Sequence, residues 1–195
     1  MKPTIFLDRD GTINEDVGYL NALDRLVFIP GALDAIRAFA RADFQIVVVT
    51  NQAGLALGMI EEHVLEALHA RIDTRVGEAG GRIDAWFVCP HSASATVAKF
   101  RLDCDCRKPK AGLFTQAFAA LPVDKARSFY IGDKASDMAA AATAGLRGVL
   151  VRTGYGEGEL AKHGGQVPGA DMVVANLAEA ASRILLERRT GGPRS

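Results

Sequence analysis

The sequence predicts a doubly wound α/β fold on a mostly parallel, Rossmann-like sheet. Short apolar runs rich in β-branched or aromatic residues recur along the chain, the pattern of strands buried on both faces. Stretches with apolar residues at helical spacing lie between them. Such alternation places helices on both faces of a parallel sheet with right-handed crossovers. Polar and acidic residues follow several of the runs, and in this architecture ligands bind beyond the carboxyl ends of the strands.

In chain order, residues 3–7 form the first strand and end at Asp8. Leu33, Ile36, Phe39 and Ala40 then mark a helix, and residues 45–50 a second strand. Val64, Leu65, Leu68, Ile72 and Val76 mark the next helix, followed by a strand at 85–89. Leu113, Phe114, Ala117, Phe118 and Leu121 mark a third, and two further strands lie at 128–131 and 148–151. Six glycines between 154 and 169 suggest a mobile loop, and a helix is expected near 177–186. We expect one domain over 1–188 and a flexible tail over 189–195, which has nothing apolar to bury.

At 195 residues, 49% hydrophobic and 24% charged, the chain is long enough for one sizeable core. Its 23 basic and 23 acidic residues balance, without a block of like sign. That disfavours a nucleic-acid partner or an anionic membrane surface. No stretch approaches a membrane span, and the N-terminal apolar run is broken at Asp8. The expectation is a soluble, cytoplasmic monomer. The three cysteines, Cys89, Cys104 and Cys106, fall within 18 residues, a spacing that suits a metal site better than a disulfide framework.

Asp8 and Asp10 sit two apart directly after a strand, where like charges raise each other's pKa unless a cation intervenes. Magnesium suits the pair, with Asp133 of Gly132-Asp133-Lys134-Ala135-Ser136-Asp137 as a third carboxylate. Taken singly, each of these aspartates could equally be a helix cap or turn residue. Together they suggest phosphoryl transfer. Asp8 would be the nucleophile, and Asp10 the acid for the leaving oxygen and then the base for water. Thr50 and Lys108, the latter in Cys106-Arg107-Lys108-Pro109-Lys110, would hold the phosphoryl oxygens.

Cys89, His91, Cys104 and Cys106 offer three thiolates and an imidazole, a set suited to a closed, structural zinc site. The alternative is three reduced buried cysteines. Zinc there would order the loop that carries Lys108. His63, His69 and His163 lack such a context and are expected at the surface.

Asp8-Arg9-Asp10-Gly11-Thr12-Ile13, Thr50-Asn51-Gln52, Lys108 and Gly132-Asp133-Lys134, with Asp137 three residues on, resemble the four motifs of the haloacid-dehalogenase-like (HAD) phosphatase superfamily over residues 3–153. The resemblance implies an aspartyl-phosphate intermediate and bound Mg²⁺. Residues 13–44 and 51–107 leave no room for a separate cap domain, so an open site shaped by loops is expected. Within the superfamily, the cysteine cluster resembles two families, the D-glycero-D-manno-heptose 1,7-bisphosphate 7-phosphatases and the histidinol phosphatases. The twelve residues between His91 and Cys104 favour the heptose type. So do Asn14-Glu15-Asp16-Val17-Gly18-Tyr19, Lys99-Phe100-Arg101 and Val151-Arg152-Thr153-Gly154.

That resemblance implies a sugar bisphosphate substrate in lipopolysaccharide core precursor metabolism. It places Asp16, Val17, Gly18, Tyr19, Thr50, Asn51, Gln52, Ala53, Arg107 and Lys134 at the substrate. A forked, permanently charged Arg107 suits a second phosphate. Two departures touch substrate loops: Leu57 stands where that family usually has Arg, and Ser92-Ala93 replaces His-Pro. Histidinol phosphate or another small sugar phosphate is the alternative substrate. An inactive zinc-stabilised binding module would need a broken catalytic set, whereas Asp8, Asp10, Thr50, Lys108 and Asp133 are all present. A nucleic-acid end-processing phosphatase would need a basic groove.

Overall fold

The computed structural model describes residues 1–190. Six strands, β1 (Thr4–Leu7), β2 (Gln45–Asn51), β3 (Ala85–Cys89), β4 (Phe129–Gly132), β5 (Arg147–Val151) and β6 (Met172–Val174), form one sheet in the order β3-β2-β1-β4-β5-β6. Every pairing is parallel. β1 lies between β2 and β4, so the strand order reverses beside it, and its carboxyl end opens on the crevice where such sheets bind ligands.

The two-residue period of the strands divides the core cleanly. Ile5, Leu7, Ile46, Val48, Phe129 and Ile131 face one side, where α1 (Ala32–Arg41), α3 (Glu62–Glu78) and α7 (Leu177–Thr190) bury Phe39, Ile72 and Ile184 against them. Phe6, Val47, Val49 and Tyr130 face the other, under α4 (Gly112–Ala120) and α5 (Ala135–Ala144). The short α2 (Ala53–Ala56) follows β2 directly. Between β1 and α1 lies a loop with one 3-10 turn (Leu23–Arg25). The link from β3 to α4 is likewise a loop with one such turn (Ala98–Phe100).

The predicted strands and helices recur with ends shifted by a residue or two, except that the last helix runs four residues past its expected end. Four elements were not anticipated, the short α2 among them. α5 has small apolar residues almost all round and so shows no periodic stripe. β6 is only three residues long and lies at the sheet edge. α6 (Gly156–Lys162) occupies part of the stretch expected to be a mobile loop. Its Leu160 packs with Met138, Leu150 and Val167, and a Cβ on Gly156 would fall 1.8 Å from the Val151 carbonyl oxygen. Gly156 is therefore there for close approach rather than flexibility. α7 continues through Thr190, two residues into the expected tail; residues 191–195 of that tail lie outside the described residues. Among the described residues no helix is long and apolar enough to cross a membrane.

Candidate active site

β1, β2 and β4 end side by side, and their next residues carry the site. Asp8, Asp133 and Asp137 are buried, each with a carboxylate oxygen within 4.8 Å of the others'. The Asp8 amide donates to the Ile131 carbonyl at 2.9 Å and so locks the nucleophile candidate to β4. Lys108, itself buried, lies 2.9 Å from Asp8 Oδ1 and 2.8 Å from Asp137 Oδ1. It also donates to Tyr130 Oη at 2.6 Å and to the Val49 carbonyl at 3.2 Å. Burial works against the Lys108 charge, but Asp137 and Asp8 outweigh it and hold the ammonium above its usual range.

The three carboxylates exceed this one lysine. Burial pushes Asp8 up against the pull of Lys108. Burial and then the Asp8 charge push Asp133 up to about 8. Asp133 Oδ2 accepts from the Tyr155 amide at 2.8 Å, whereas Oδ1 is buried without a hydrogen-bond partner, with Lys134 Nζ at 3.9 Å. An orphaned carboxylate oxygen beside a second buried carboxylate fits a hard divalent cation. The backbone closes tightly around it: a Cβ on Gly11 (φ +79°) would fall 2.1 Å from Asp133 Oδ2, and one on Gly154 2.2 Å.

The Asp10 carboxylate lies outside this acidic group. It accepts from Arg9 (Nη2 to Oδ2 at 2.7 Å, Nε to Oδ1 at 3.0 Å), from Asn14 Nδ2 at 2.9 Å and from Gln52 Nε2 at 2.9 Å. Burial opposes its ionisation, but Arg9 and these hydrogen bonds prevail and lower its pKa. The third carboxylate near Asp8 and Asp133 is thus that of Asp137, which also accepts the Lys134 amide at 3.0 Å and caps α5.

The remaining expected residues surround this centre. Thr50 is buried at the end of β2 and accepts from Gln52 Nε2 at 3.0 Å. Asn51 pairs with the Lys108 main chain in both directions, at 3.1 and 3.2 Å, and so fixes the lysine's loop. Lys134 Nζ reaches Asp16 Oδ2 at 2.9 Å, tying the 16–19 turn to the site; Asp16 Oδ1 accepts the Gly18 amide. Val17 is half-buried beside the exposed Gly18 and Tyr19, and Ala53 is half-buried at the start of α2. Arg107, half-buried, donates to the His91 carbonyl at 3.2 Å.

Cys89, His91, Cys104 and Cys106 converge as their spacing suggested. The sulfurs stand 3.1, 3.2 and 3.6 Å apart, and His91 Nδ1 lies 3.2 Å from Cys106 Sγ. Zn–S bonds of about 2.3 Å in a tetrahedron separate sulfurs by roughly 3.8 Å, so the four donors are close to that arrangement. Burial and the neighbouring sulfurs push the Cys106 thiol up.

Several contributors were missed from the sequence. Arg9 is buried beside Asp10, and Tyr130 donates to Asp137 at 3.0 Å. His63 is exposed, as expected, whereas the other two histidines are only partly exposed. His163 is half-buried against the Glu159 carbonyl. His69 is stacked on Trp86, with ring centroids 4.0 Å apart. It stands four residues after Leu65 and three before Ile72, on the inward side of α3, and that spacing was the available signal.

Comparison with known proteins places this geometry. Residues 105–180 match the HAD-hydrolase-like family model. The chain is 40% identical over 188 residues to a D-glycero-beta-D-manno-heptose-1,7-bisphosphate 7-phosphatase from Salmonella typhi, covering 96% of this chain and 97% of that protein. It is 46% identical over 153 residues to the protein of that name from Escherichia coli O6:H1, covering 78% and 80%. The crystal structure of D,D-heptose 1,7-bisphosphate phosphatase from B. bronchiseptica, complexed with magnesium and phosphate, superposes with a TM-score of 0.86 at 36% identity, over 95% of this chain and 99% of that one. With whole-length relatives at this level of identity and the same fold, the chain belongs to the D-glycero-beta-D-manno-heptose-1,7-bisphosphate 7-phosphatase family of HAD-like hydrolases.

Proposed function

We propose that the protein is a magnesium-dependent phosphatase that removes the C7 phosphate of D-glycero-D-manno-heptose 1,7-bisphosphate through an aspartyl-phosphate on Asp8. The observation that carries this reading is the buried group of Asp8, Asp133 and Lys108 at the carboxyl ends of β1 and β4, in a chain whose whole-length relatives bear that activity in their names.

Asp8 and Asp133 would hold the magnesium. Asp10 has its carboxylate committed to Arg9, Asn14 and Gln52, which leaves its main-chain carbonyl to offer. Bound there, the cation supplies positive charge to the acidic group and to the phosphoryl oxygens. Asp8 Oδ attacks phosphorus as the bond to the C7 oxygen breaks. Lys108 and the Thr50 hydroxyl hold the equatorial oxygens. Asp10 protonates the departing C7 oxygen, and the incoming phosphate dianion raises its proton affinity by like-charge repulsion. Heptose 1-phosphate leaves. Asp10, again ionised by Arg9, takes a proton from the water that attacks the aspartyl-phosphate, releasing inorganic phosphate and restoring Asp8. Arg107 and the 16–19 turn, tied by Lys134, bind the remainder of the sugar bisphosphate. Zinc at Cys89, His91, Cys104 and Cys106 is structural, since four protein donors leave no position for water.

The test is phosphate release from both anomers of heptose 1,7-bisphosphate and from histidinol phosphate, with and without magnesium. A heptose bisphosphate should be preferred, the β anomer first given the relatives' names. Asp8→Asn should remove turnover by roughly 10⁴-fold or more. Preference for histidinol phosphate would overturn the substrate, and an active Asp8→Asn the mechanism.

A further inference from the structure

We propose that His69 is a positioning residue for the acid–base step: from its stack on Trp86 it engages the free edge of the Arg9 guanidinium and thereby fixes the fork that holds Asp10. The inference rests on the role given to Asp10 above.

Arg9 is a fully charged side chain only 1% exposed, so each edge of its planar fork needs a partner. Nε and Nη2 face the Asp10 carboxylate. Nη1 points at His69 Nε2 at 3.5 Å. Guanidinium can only donate, so Nε2 must carry the lone pair and Nδ1 the proton. Burial, reinforced by the Arg9 charge, holds His69 down to about 4, which keeps it a neutral acceptor across the neutral range. Asp10 opposes that shift, while Glu62 and Glu66 line the same 240 Å³ cavity as His69.

His69 is itself fixed. Its ring lies 16° from parallel with Trp86, and the Trp86 indole donates to Asp73 Oδ1 at 3.0 Å. α3 and β3 thus hold one edge of Arg9, and β1 supplies the other end of the chain of contacts. Because the fork is rigid, the placement of Nη1 sets the direction from which Nε and Nη2 grip Asp10. Asn14 and Gln52 hold the carboxylate too, so loss of His69 should misalign Asp10 rather than release it.

Leaving groups separate positioning from general damage. kcat/KM reports steps up to formation of the aspartyl-phosphate, where a primary alkoxide needs the Asp10 proton and p-nitrophenolate does not. Either alkyl phosphate above serves, since both present a primary alcohol oxygen. His69→Leu should lower kcat/KM on the alkyl phosphate roughly ten- to a hundredfold, with KM little changed. On p-nitrophenyl phosphate it should stay within about threefold of wild type, and His69→Gln, which keeps an acceptor, should restore the alkyl rate to a similar margin. Asp10→Asn should show the same leaving-group contrast, only larger. If Asp10→Asn shows none, the assignment of Asp10 fails and this inference with it. If Asp10→Asn shows the contrast but His69→Leu loses both substrates equally, loses neither, or is not rescued by His69→Gln, the inference about His69 alone is overturned. Should His69→Leu not fold, His69→Asn, polar but too short to reach Arg9, takes its place with the same outcomes.

Discussion

Replacing Lys108 with Met keeps most of the side chain's length and removes its charge from a buried acidic group. The side chain is 3% exposed and lies within 2.9 Å of both Asp8 and Asp137, themselves 6% and 0% exposed. The substitution leaves buried carboxylates without their cation, which costs about 3–5 kcal/mol when one partner of a desolvated pair is removed. For a chain of this size each kcal/mol moves Tm by about 2–4 °C, so a fall of roughly 6–20 °C is expected in magnesium-free buffer. Added magnesium should recover part of that fall, because a cation among the carboxylates replaces some of the lost charge. It should not recover turnover: losing one preorganised donor to the transferring phosphoryl group costs about 10²–10³ in kcat. Scanning calorimetry with and without magnesium, beside steady-state phosphate release, reads both effects. A Lys108→Met protein that melts within about 2 °C of wild type without magnesium would refute the reasoning, since it would mean the carboxylates are solvated or protonated at little cost.

Two further outcomes follow from the same geometry. Asp133 has a folded pKa of about 8 against an ordinary 3.8, so its contribution is fully present below pH 4 and is lost as pH rises towards 8. Metal-free protein should therefore lose several kcal/mol across that window in denaturant titrations, and magnesium should flatten the slope; equal slopes with and without magnesium would exclude Asp133 as a ligand. Cys106→Ser should release one equivalent of zinc by elemental analysis and expose the 90–111 loop to protease. Its kcat should fall by less than that of Lys108→Met, because Asn51 still holds the Lys108 backbone; unchanged zinc content would contradict the four-ligand assignment.

The composition and order of the motifs already located most of the candidate site. Asp8, Thr50 and Asp133 follow buried apolar runs, and parallel strands must bring their carboxyl ends to one edge. The cysteine–histidine cluster was legible for a similar reason: Cys104 and Cys106 are two residues apart, and Cys89 and His91 stand at the end of a recognisable strand. α6 was misread because its glycines, taken as signs of mobility, include Gly156, which serves close approach to Val151.

What the sequence alone determined is the parallel sheet, the strand-end position of the candidate nucleophile and phosphate-holding residues, and the cysteine–histidine cluster, because strand-end position and short spacing are local properties of the chain. Only the tertiary structure decided how the charges are shared. Asp10 turns to Arg9, Asn14 and Gln52, Asp137 joins Asp8 and Asp133 around Lys108, and His69 packs between Trp86 and Arg9. Arg9 and His69 are 60 residues apart, and Lys108 and Asp8 a hundred. A buried carboxylate takes whichever donors the packed elements bring within about 3 Å, and that competition is settled only when the helices close on the sheet.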